Sequence, residues 1–219
     1  MPIFGKKPQE SPEAPAEPEP KQLRLFVAVE LPHEVRRLLV DTIDALPRAV
    51  RGDAVRWARP EGIHLTLEFL GATPEDRLPL IHTALRLGVR DAAPFDVTPL
   101  GVGSFGGRAH LRVIWVGAGG DGGALAALAE RVETALEPLG YPRERRSFNA
   151  HLTLARVRDA ATPSDRARLH DVLTRFDPPL YPAFRVDQVR LMQSLLGPGG
   201  AAYRELASYS LEGERTGAA

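Results

Sequence analysis

The tetrapeptide His-Leu-Thr-Leu occurs twice in this chain, at residues 64–67 and again at residues 151–154. The two copies lie 87 residues apart (151 − 64), and the chain contains only six histidines. The same offset aligns the apolar run at 23–31 with a second apolar run at 111–119, because Val27 then matches Ile114. A common offset for both segments indicates an internal duplication rather than a chance repeat of four residues.

Each copy of the duplicated unit is predicted to contain alternating strands and helices, because its apolar residues recur first at strand spacing and then at helix spacing. The sequence therefore predicts an α+β protein. It would have two pseudo-symmetric lobes, each an antiparallel sheet with helices on its outer face, around a central cleft. Strands are predicted at 23–31, 63–70, 95–105, 111–119, 150–157, 184–196 and 201–211, and helices at 32–46, 75–87, 122–140 and 163–176, the last with Ser164 as its N-cap.

The two ends of the chain differ in composition from the rest. Residues 1–21 are rich in Pro, Glu and Lys and offer little to bury, which predicts a disordered leader. We expect one folded bilobal domain at 22–212, with one H-x-T motif in each lobe, followed by a flexible tail at 213–219.

Composition excludes several functional classes. The chain has no cysteine, so it has no disulfide, thiolate metal site or cysteine nucleophile. Its formal net charge is zero, so contact with a nucleic acid would require a local basic patch. No segment resembles a secretory signal or a membrane span. We therefore predict a cytoplasmic protein with no membrane partner, and a monomer, since a cleft within one chain needs no second copy.

The histidines and threonines of the repeated tetrapeptide are the candidate catalytic residues. In a strand, His64 and Thr66 point to one face, as do His151 and Thr153, while the leucines point to the core. Pseudo-two-fold symmetry would then place the two imidazoles opposite each other. Since imidazole titrates near pH 7, one ring can accept a proton while the other donates one. With threonine hydroxyls beside them, the pair suits in-line displacement at phosphorus, without a metal, cofactor or covalent intermediate.

Simpler interpretations exist for these residues. One H-x-T segment alone is typical of an amphipathic strand with a surface histidine. A metal site is disfavoured because each strand offers one good ligand, with no nearby cysteine, aspartate or third histidine. Trp57 and Trp115 are interpreted as packing residues, although either could stack on a base at the edge of the cleft, and Phe105 is a similar candidate for stacking. The other four histidines, His33, His82, His110 and His170, are interpreted mainly as surface residues.

Paired H-x-T motifs on a duplicated α+β frame resemble the two-histidine phosphoesterases, and in particular the bacterial LigT-like RNA 2′,3′-cyclic phosphodiesterases. The resemblance covers residues 23–210 and is carried by RLFVAVELP, VRWARPEGIHLTLEFLG, FNAHLTLARV and VRLMQSLLGPGGAAY. It implies hydrolysis of a 2′,3′-cyclic phosphate at an RNA end to a 2′-phosphomonoester, with tRNA-like fragments as one candidate substrate. It also implies a weak reverse ability to join RNA halves through a 2′–5′ linkage.

The resemblance also implies roles for individual residues. His64 would donate a proton to the leaving 3′ oxygen, and His151 would be the base that activates water. Thr66 and Thr153 would hold the non-bridging phosphate oxygens. Arg156 would contact the phosphate or a base, although regular alternation from His151 places it on the opposite face of the strand.

One position before the second motif departs from the resemblance. Where relatives often have proline before the second histidine, this chain has Ala150, so the entry to that strand lacks the stiffness of a proline.

Two other functions are compatible with the motif. The first is a phosphodiesterase for 2′–5′ oligonucleotides or small nucleoside cyclic phosphates, and the second is a non-catalytic RNA-binding module.

Overall fold

The computed structural model describes residues 20–46, 54–121, 123–144, 147–197 and 200–214. The predicted leader at 1–21 lies outside this part of the chain except for Pro20 and Lys21, and so does the predicted tail beyond residue 214. The strands are β1 (Gln22–Val29), β2 (Val55–Trp57), β3 (Leu65–Pro74), β4 (Phe95–Phe105), β5 (Val113–Gly120), β6 (His151–Val157), β7 (Phe184–Val186), β8 (Gln188–Gly197) and β9 (Gly200–Ser210), and the helices are α1 (His33–Ala45), α2 (Leu78–Val89), α3 (Ala124–Leu136) and α4 (Pro163–Leu173).

All strand pairs described are antiparallel, and they form two halves of one sheet. The strand order is β7-β4-β5-β6-β3-β1-β8-β9, with β2 added beside β6. The halves meet between β6 and β3, where a single residue pair, Leu65 opposite Leu152, joins them. The predicted α+β architecture with two antiparallel halves is thus confirmed, and the two H-x-T strands lie side by side at its centre.

The two duplicated units exchange strands. In the first unit, β1 and β3 pair with each other, but β4 crosses over to pair with β5 of the second unit. In the second unit, β5 and β6 pair with each other, while β8 and β9 return to extend the sheet beyond β1. Each half of the sheet therefore contains strands from both units, so neither half can form from one unit alone.

The helices cover the face of the sheet opposite to the histidines. Each is amphipathic and buries a stripe of residues, such as Val35 and Leu39 of α1 and Ile81 and Leu85 of α2. These residues join Leu65 and Leu152 in one continuous hydrophobic core. None of the described helices is long and apolar enough to span a membrane.

Helices α2 and α3 pack closely against each other because a glycine stands at their contact. A Cβ atom at Gly88 would lie 2.6 Å from the Cβ of Ala135. Two small residues thus let the backbones of the helices from the two units approach across the back of the sheet.

Local differences from the sequence predictions have clear physical causes. The strand predicted at 184–196 is two strands, since the ladder is interrupted at Asp187 between β7 and β8. The N-cap of α4 is Thr162, not Ser164 as predicted. Thr162 accepts a hydrogen bond from the backbone N–H of Asp165, whose carboxylate accepts one from the backbone N–H of Thr162. This reciprocal capping box outweighs a lone serine.

Candidate active site

The two H-x-T segments flank the pair that joins the halves of the sheet. Leu65 and Leu152 lie opposite each other and are both completely buried, at 0 % exposure. Because side chains alternate along a strand, the residues on either side of each leucine project from the other face. That face carries His64, Thr66, His151 and Thr153, and we call it the histidine face. The structure therefore brings the four predicted residues together around one point.

His64 lies between two aromatic rings, just before the first residue of β3. Its ring stacks on Phe26 of β1 at a centroid distance of 4.7 Å, and Tyr203 of β9 meets it edge-on at 5.0 Å. A hydrogen bond links the ring to the backbone of Gly62, at the end of a short 3₁₀ turn. The imidazole is thus fixed on three sides. Phe26 and Tyr203 were not predicted as site residues, because both lie in strands distant from the motif along the chain.

His151 is oriented in a similar way from the other half of the sheet. Its Nδ1 lies 2.7 Å from the carbonyl oxygen of Asn149. A carbonyl oxygen only accepts, so Nδ1 carries the proton and, in the neutral ring, Nε2 is left with a free lone pair. Phe105, the predicted stacking candidate, meets the His151 ring edge-on at 4.8 Å. Each histidine is thus tied to the backbone two residues before it and contacts an aromatic ring.

The charge state of His64 is set by its surroundings. Burial is the largest effect, and it lowers the pKa of His64 to about 4. The hydrogen bond to Gly62 opposes this shift, whereas the positive charges of Arg156, His151 and Arg36 add to it. At neutral pH the His64 ring is therefore uncharged in the ligand-free protein. These contributions also show that His151 and Arg156 lie close enough to His64 for their charges to act on it.

The threonines occupy equivalent positions in the two halves. Thr66 lies opposite Ala28 of β1, and Thr153 lies opposite Trp115 of β5. Both side chains are half-buried, and within the described residues neither hydroxyl has a hydrogen-bond partner. Each hydroxyl is therefore able to donate to a ligand placed on the histidine face.

A β-bulge decides the position of Arg156. Along the β5–β6 pair, Ile114 lies opposite Ala155 and Trp115 opposite Thr153, so Leu154 has no residue opposite. The extra residue shifts the alternation by one, and Leu154 and Ala155 are both buried. Arg156 consequently returns to the histidine face. The expectation from regular alternation, which placed it on the other face, is wrong for this reason.

The structure also places Trp115, His82 and Ala150, which the sequence analysis singled out. Trp115 packs tightly over Gly103, where a Cβ atom would lie 2.3 Å from its ring, so it is a packing residue as predicted. His82 is not a solvated surface residue as predicted, because its Nδ1 lies 2.5 Å from the hydroxyl of the buried Tyr209. The entry to β6, which lacks the proline of many relatives, is held by a hydrogen bond from the N–H of Ala118 to the carbonyl of Ala150.

In the segments that the structure describes, no group of three or more histidine, aspartate or glutamate side chains lies close enough to hold a metal ion.

Comparison with known proteins identifies the family. Residues 31–198 match the model of the 2′–5′ RNA ligase superfamily. A relative from Thermus thermophilus, named RNA 2′,3′-cyclic phosphodiesterase, is 36 % identical over 203 residues, which cover 88 % of this chain and 92 % of the relative. A relative of the same name from Archaeoglobus fulgidus is 33 % identical over 184 residues, which cover 84 % of this chain and 98 % of the relative.

Solved structures support the same conclusion. The crystal structure of TT0787 of Thermus thermophilus matches with a TM-score of 0.73 and 32 % identity, over 88 % of this chain and all of that chain. The structure of E. coli LigT complexed with 3′-AMP shares the fold, with a TM-score of 0.67 over 87 % of this chain and 99 % of that chain, at 24 % identity. The paired H-x-T strands and these matches together establish that this chain belongs to the 2′–5′ RNA ligase superfamily, the two-histidine phosphoesterases that its sequence resembles.

Proposed function

We propose that this protein hydrolyses 2′,3′-cyclic phosphate ends of RNA to 2′-phosphomonoesters by paired-histidine acid–base catalysis, without a metal ion. The carrying observation is that the two H-x-T segments flank the single pair Leu65–Leu152 and share one face of the sheet. The names of the relatives, RNA 2′,3′-cyclic phosphodiesterase, support the substrate class. Cytoplasmic location and a monomeric state remain predictions from the sequence.

In the proposed reaction, His151 is the base. Because its Nδ1–H is bound to the carbonyl of Asn149, the lone pair on Nε2 is available to take a proton from water. The hydroxide forms a new bond to phosphorus while the bond from phosphorus to the 3′ oxygen breaks. A proton from His64 goes to the departing 3′ oxygen, which leaves a 3′-hydroxyl and a 2′-phosphate.

To act as the acid, His64 must be protonated, and the negative charge of the substrate would favour this protonation. In the ligand-free protein the pKa of His64 is lowered to about 4, mainly by burial. The cyclic phosphodiester carries a negative charge, and an opposite charge at close range favours the imidazolium form. We therefore propose that His64 gains its proton together with the bound substrate. Thr66, Thr153 and Arg156, which share the histidine face, would hold the non-bridging oxygens as negative charge develops on them.

The same site would catalyse joining when a 5′-hydroxyl of a second RNA replaces water. His151 would take the proton of that hydroxyl, and the product would be a 2′–5′ linkage. The family to which the chain belongs is described as the 2′–5′ RNA ligase superfamily, which supports this joining reaction.

The direct test is hydrolysis of an RNA oligonucleotide that ends in a 2′,3′-cyclic phosphate, with EDTA present. We expect a 2′-phosphate product, and we expect His64→Ala and His151→Ala each to lower turnover by several orders of magnitude. His33→Ala is the matched control, since His33 is exposed at the start of α1. Near-full activity of either active-site variant, with a circular dichroism spectrum like that of the wild type, would refute the paired mechanism.

The alternatives give different outcomes in the same assay. Turnover restricted to 2′–5′ linkages or to nucleoside cyclic phosphates would favour the other phosphodiesterase function. Binding of the cyclic-phosphate RNA without any turnover would favour the RNA-binding module.

A further inference from the structure

Two arginines lie side by side at one end of the histidine face. In the β2–β6 pair, Arg56 is directly opposite Arg156, and both side chains are exposed. The neighbouring pair, Val55 opposite Val157, is buried in the core. By alternation, the two guanidinium groups therefore leave the sheet on the same side as the histidines.

This arrangement is unfavourable for the protein by itself. Like charges directly opposite each other on neighbouring strands are destabilising. Among the described residues, neither arginine forms an ion pair with a carboxylate, whereas Arg37 is paired with Asp41 at 3.0 Å. Two adjacent guanidinium groups with no described counter-ion would be stabilised by an anion bound between them.

The two arginines differ in their effect on the histidines. Arg156 is close enough to His64 to lower the pKa of that imidazole, and Arg56 is not among the charges that do so. Strand β2 pairs with β6 at Val55–Val157 to Trp57–Ala155, on the edge of β6 that β3 joins at Leu152, so Arg56 lies further along the edge that carries His64. An RNA chain with its end at the histidines and its next nucleotides beside Arg156 would therefore also lie beside Arg56.

The chemistry of the substrate indicates which anion would lie there. An RNA 3′ end with a cyclic phosphate continues in one direction, towards its 5′ side. The next phosphate after the cyclic one is therefore attached to the 5′ oxygen of the terminal nucleotide. We infer that Arg56, beside Arg156, binds this second phosphate and makes the protein select RNA chains over nucleosides that carry only the cyclic phosphate. This inference rests on the proposed function and adds a specificity-determining residue to it.

The test compares two small substrates that differ only at the 5′ position. Adenosine 2′,3′-cyclic phosphate lacks the second phosphate, and its 5′-phosphorylated form has it. We expect the wild type to show a kcat/KM for the 5′-phosphorylated form that is higher by about tenfold or more, the size expected for a charge-assisted phosphate contact. Arg56→Gln should remove most of this preference through KM, and Arg56→Lys should retain part of it.

Arg37→Gln is the matched control, because Arg37 is an exposed arginine of a different element, α1, where it pairs with Asp41. The inference is wrong if the wild type does not distinguish the two substrates, or if Arg37→Gln lowers the preference as much as Arg56→Gln does. A stability measurement separates binding from a structural role. Without ligand, the Arg56→Gln variant should have a Tm equal to or above that of the wild type, since a like-charge contact has been removed. A lower Tm would indicate that Arg56 has a structural role.

A binding experiment keeps this inference separate from the proposed reaction. Adenosine 2′-phosphate and adenosine 2′,5′-bisphosphate are titrated into the wild type and Arg56→Gln by calorimetry. If hydrolysis fails in the wild type but the bisphosphate binds more tightly and loses that advantage in Arg56→Gln, the function is wrong and the phosphate site stands. Equal affinities for both ligands in the wild type would overturn the phosphate site itself.

Discussion

At the level of single residues, the histidines and threonines were predictable because their chemistry follows from residue type and from strand alternation. The charge state of His64 was not predictable, because it depends on Phe26, Tyr203 and Arg156, which reach it from three different strands. Burial lowers the pKa of the ring most, and the positive charge of Arg156 lowers it further; neither effect follows from the motif itself.

The pKa of His64 should depend on the ligand. In the free protein, NMR titration of the ring should give a value well below the ordinary 6.5, near the pKa of about 4 expected from burial. Adding adenosine 2′-phosphate should raise it, because the anion stabilises the imidazolium. An unchanged value in the saturated complex would contradict the proposed role of the substrate in charging His64.

The threonine hydroxyls should contribute to turnover more than to folding. Thr66→Ala and Thr153→Ala should each lower kcat by roughly ten- to a thousandfold, by analogy with the loss of one oxyanion donor. Thr66→Ser and Thr153→Ser, which keep the hydroxyl, are the matched controls. A double alanine variant with wild-type kinetics would remove both residues from the mechanism.

At the level of elements, both H-x-T strands carry a bulge at the same point of the repeat. Leu67 has no residue opposite in β1, as Leu154 has none in β5, and the two leucines are 87 residues apart. Phe69 and Arg156 therefore occupy equivalent places on the histidine face, and Phe69 is 69 % exposed there, 6.2 Å from Phe26. The bulges could not be predicted from the alternation of one strand, because a bulge is defined by the register of its neighbour.

The cap of α4 gives a test at the same level. Thr162→Ala should lower the free energy of unfolding by about 0.5–2 kcal/mol, since it removes the hydroxyl that caps the helix. Ser164→Ala, at the exposed position that the sequence favoured as the cap, should change stability far less. Chemical denaturation of the two variants checks this, and equal losses would show that Thr162 has no special role.

At the level of the whole molecule, one buried carboxyl links stability to pH. Glu68 is 8 % exposed, and burial, assisted by Glu133 of α3, raises its pKa to about 7. In the unfolded chain it titrates near 4.5, so between these values the folded state holds the additional proton. Stability from this group is therefore complete below about pH 4.5 and is lost as the pH rises to about 7.

Glu68→Gln should accordingly stabilise the protein at pH 8 more than at pH 5. The difference between variant and wild type should grow across this interval by up to about 3 kcal/mol, the free energy equivalent of the pKa shift. Denaturant unfolding at several pH values measures it, with Glu75→Gln as the control at an exposed position. A difference that does not vary with pH would show that Glu68 titrates normally.

The sequence by itself determined the α+β class, the duplication, and the placing of two imidazoles and two hydroxyls on one face, because these follow from periodicity and from a shared offset. Only the tertiary structure decided that β4, β8 and β9 exchange between the units and that Arg156 shares the histidine face beside Arg56. The physical reason is that local pattern fixes which face a side chain takes within a regular strand. Register, bulges and burial arise from contacts between segments that are far apart in the chain.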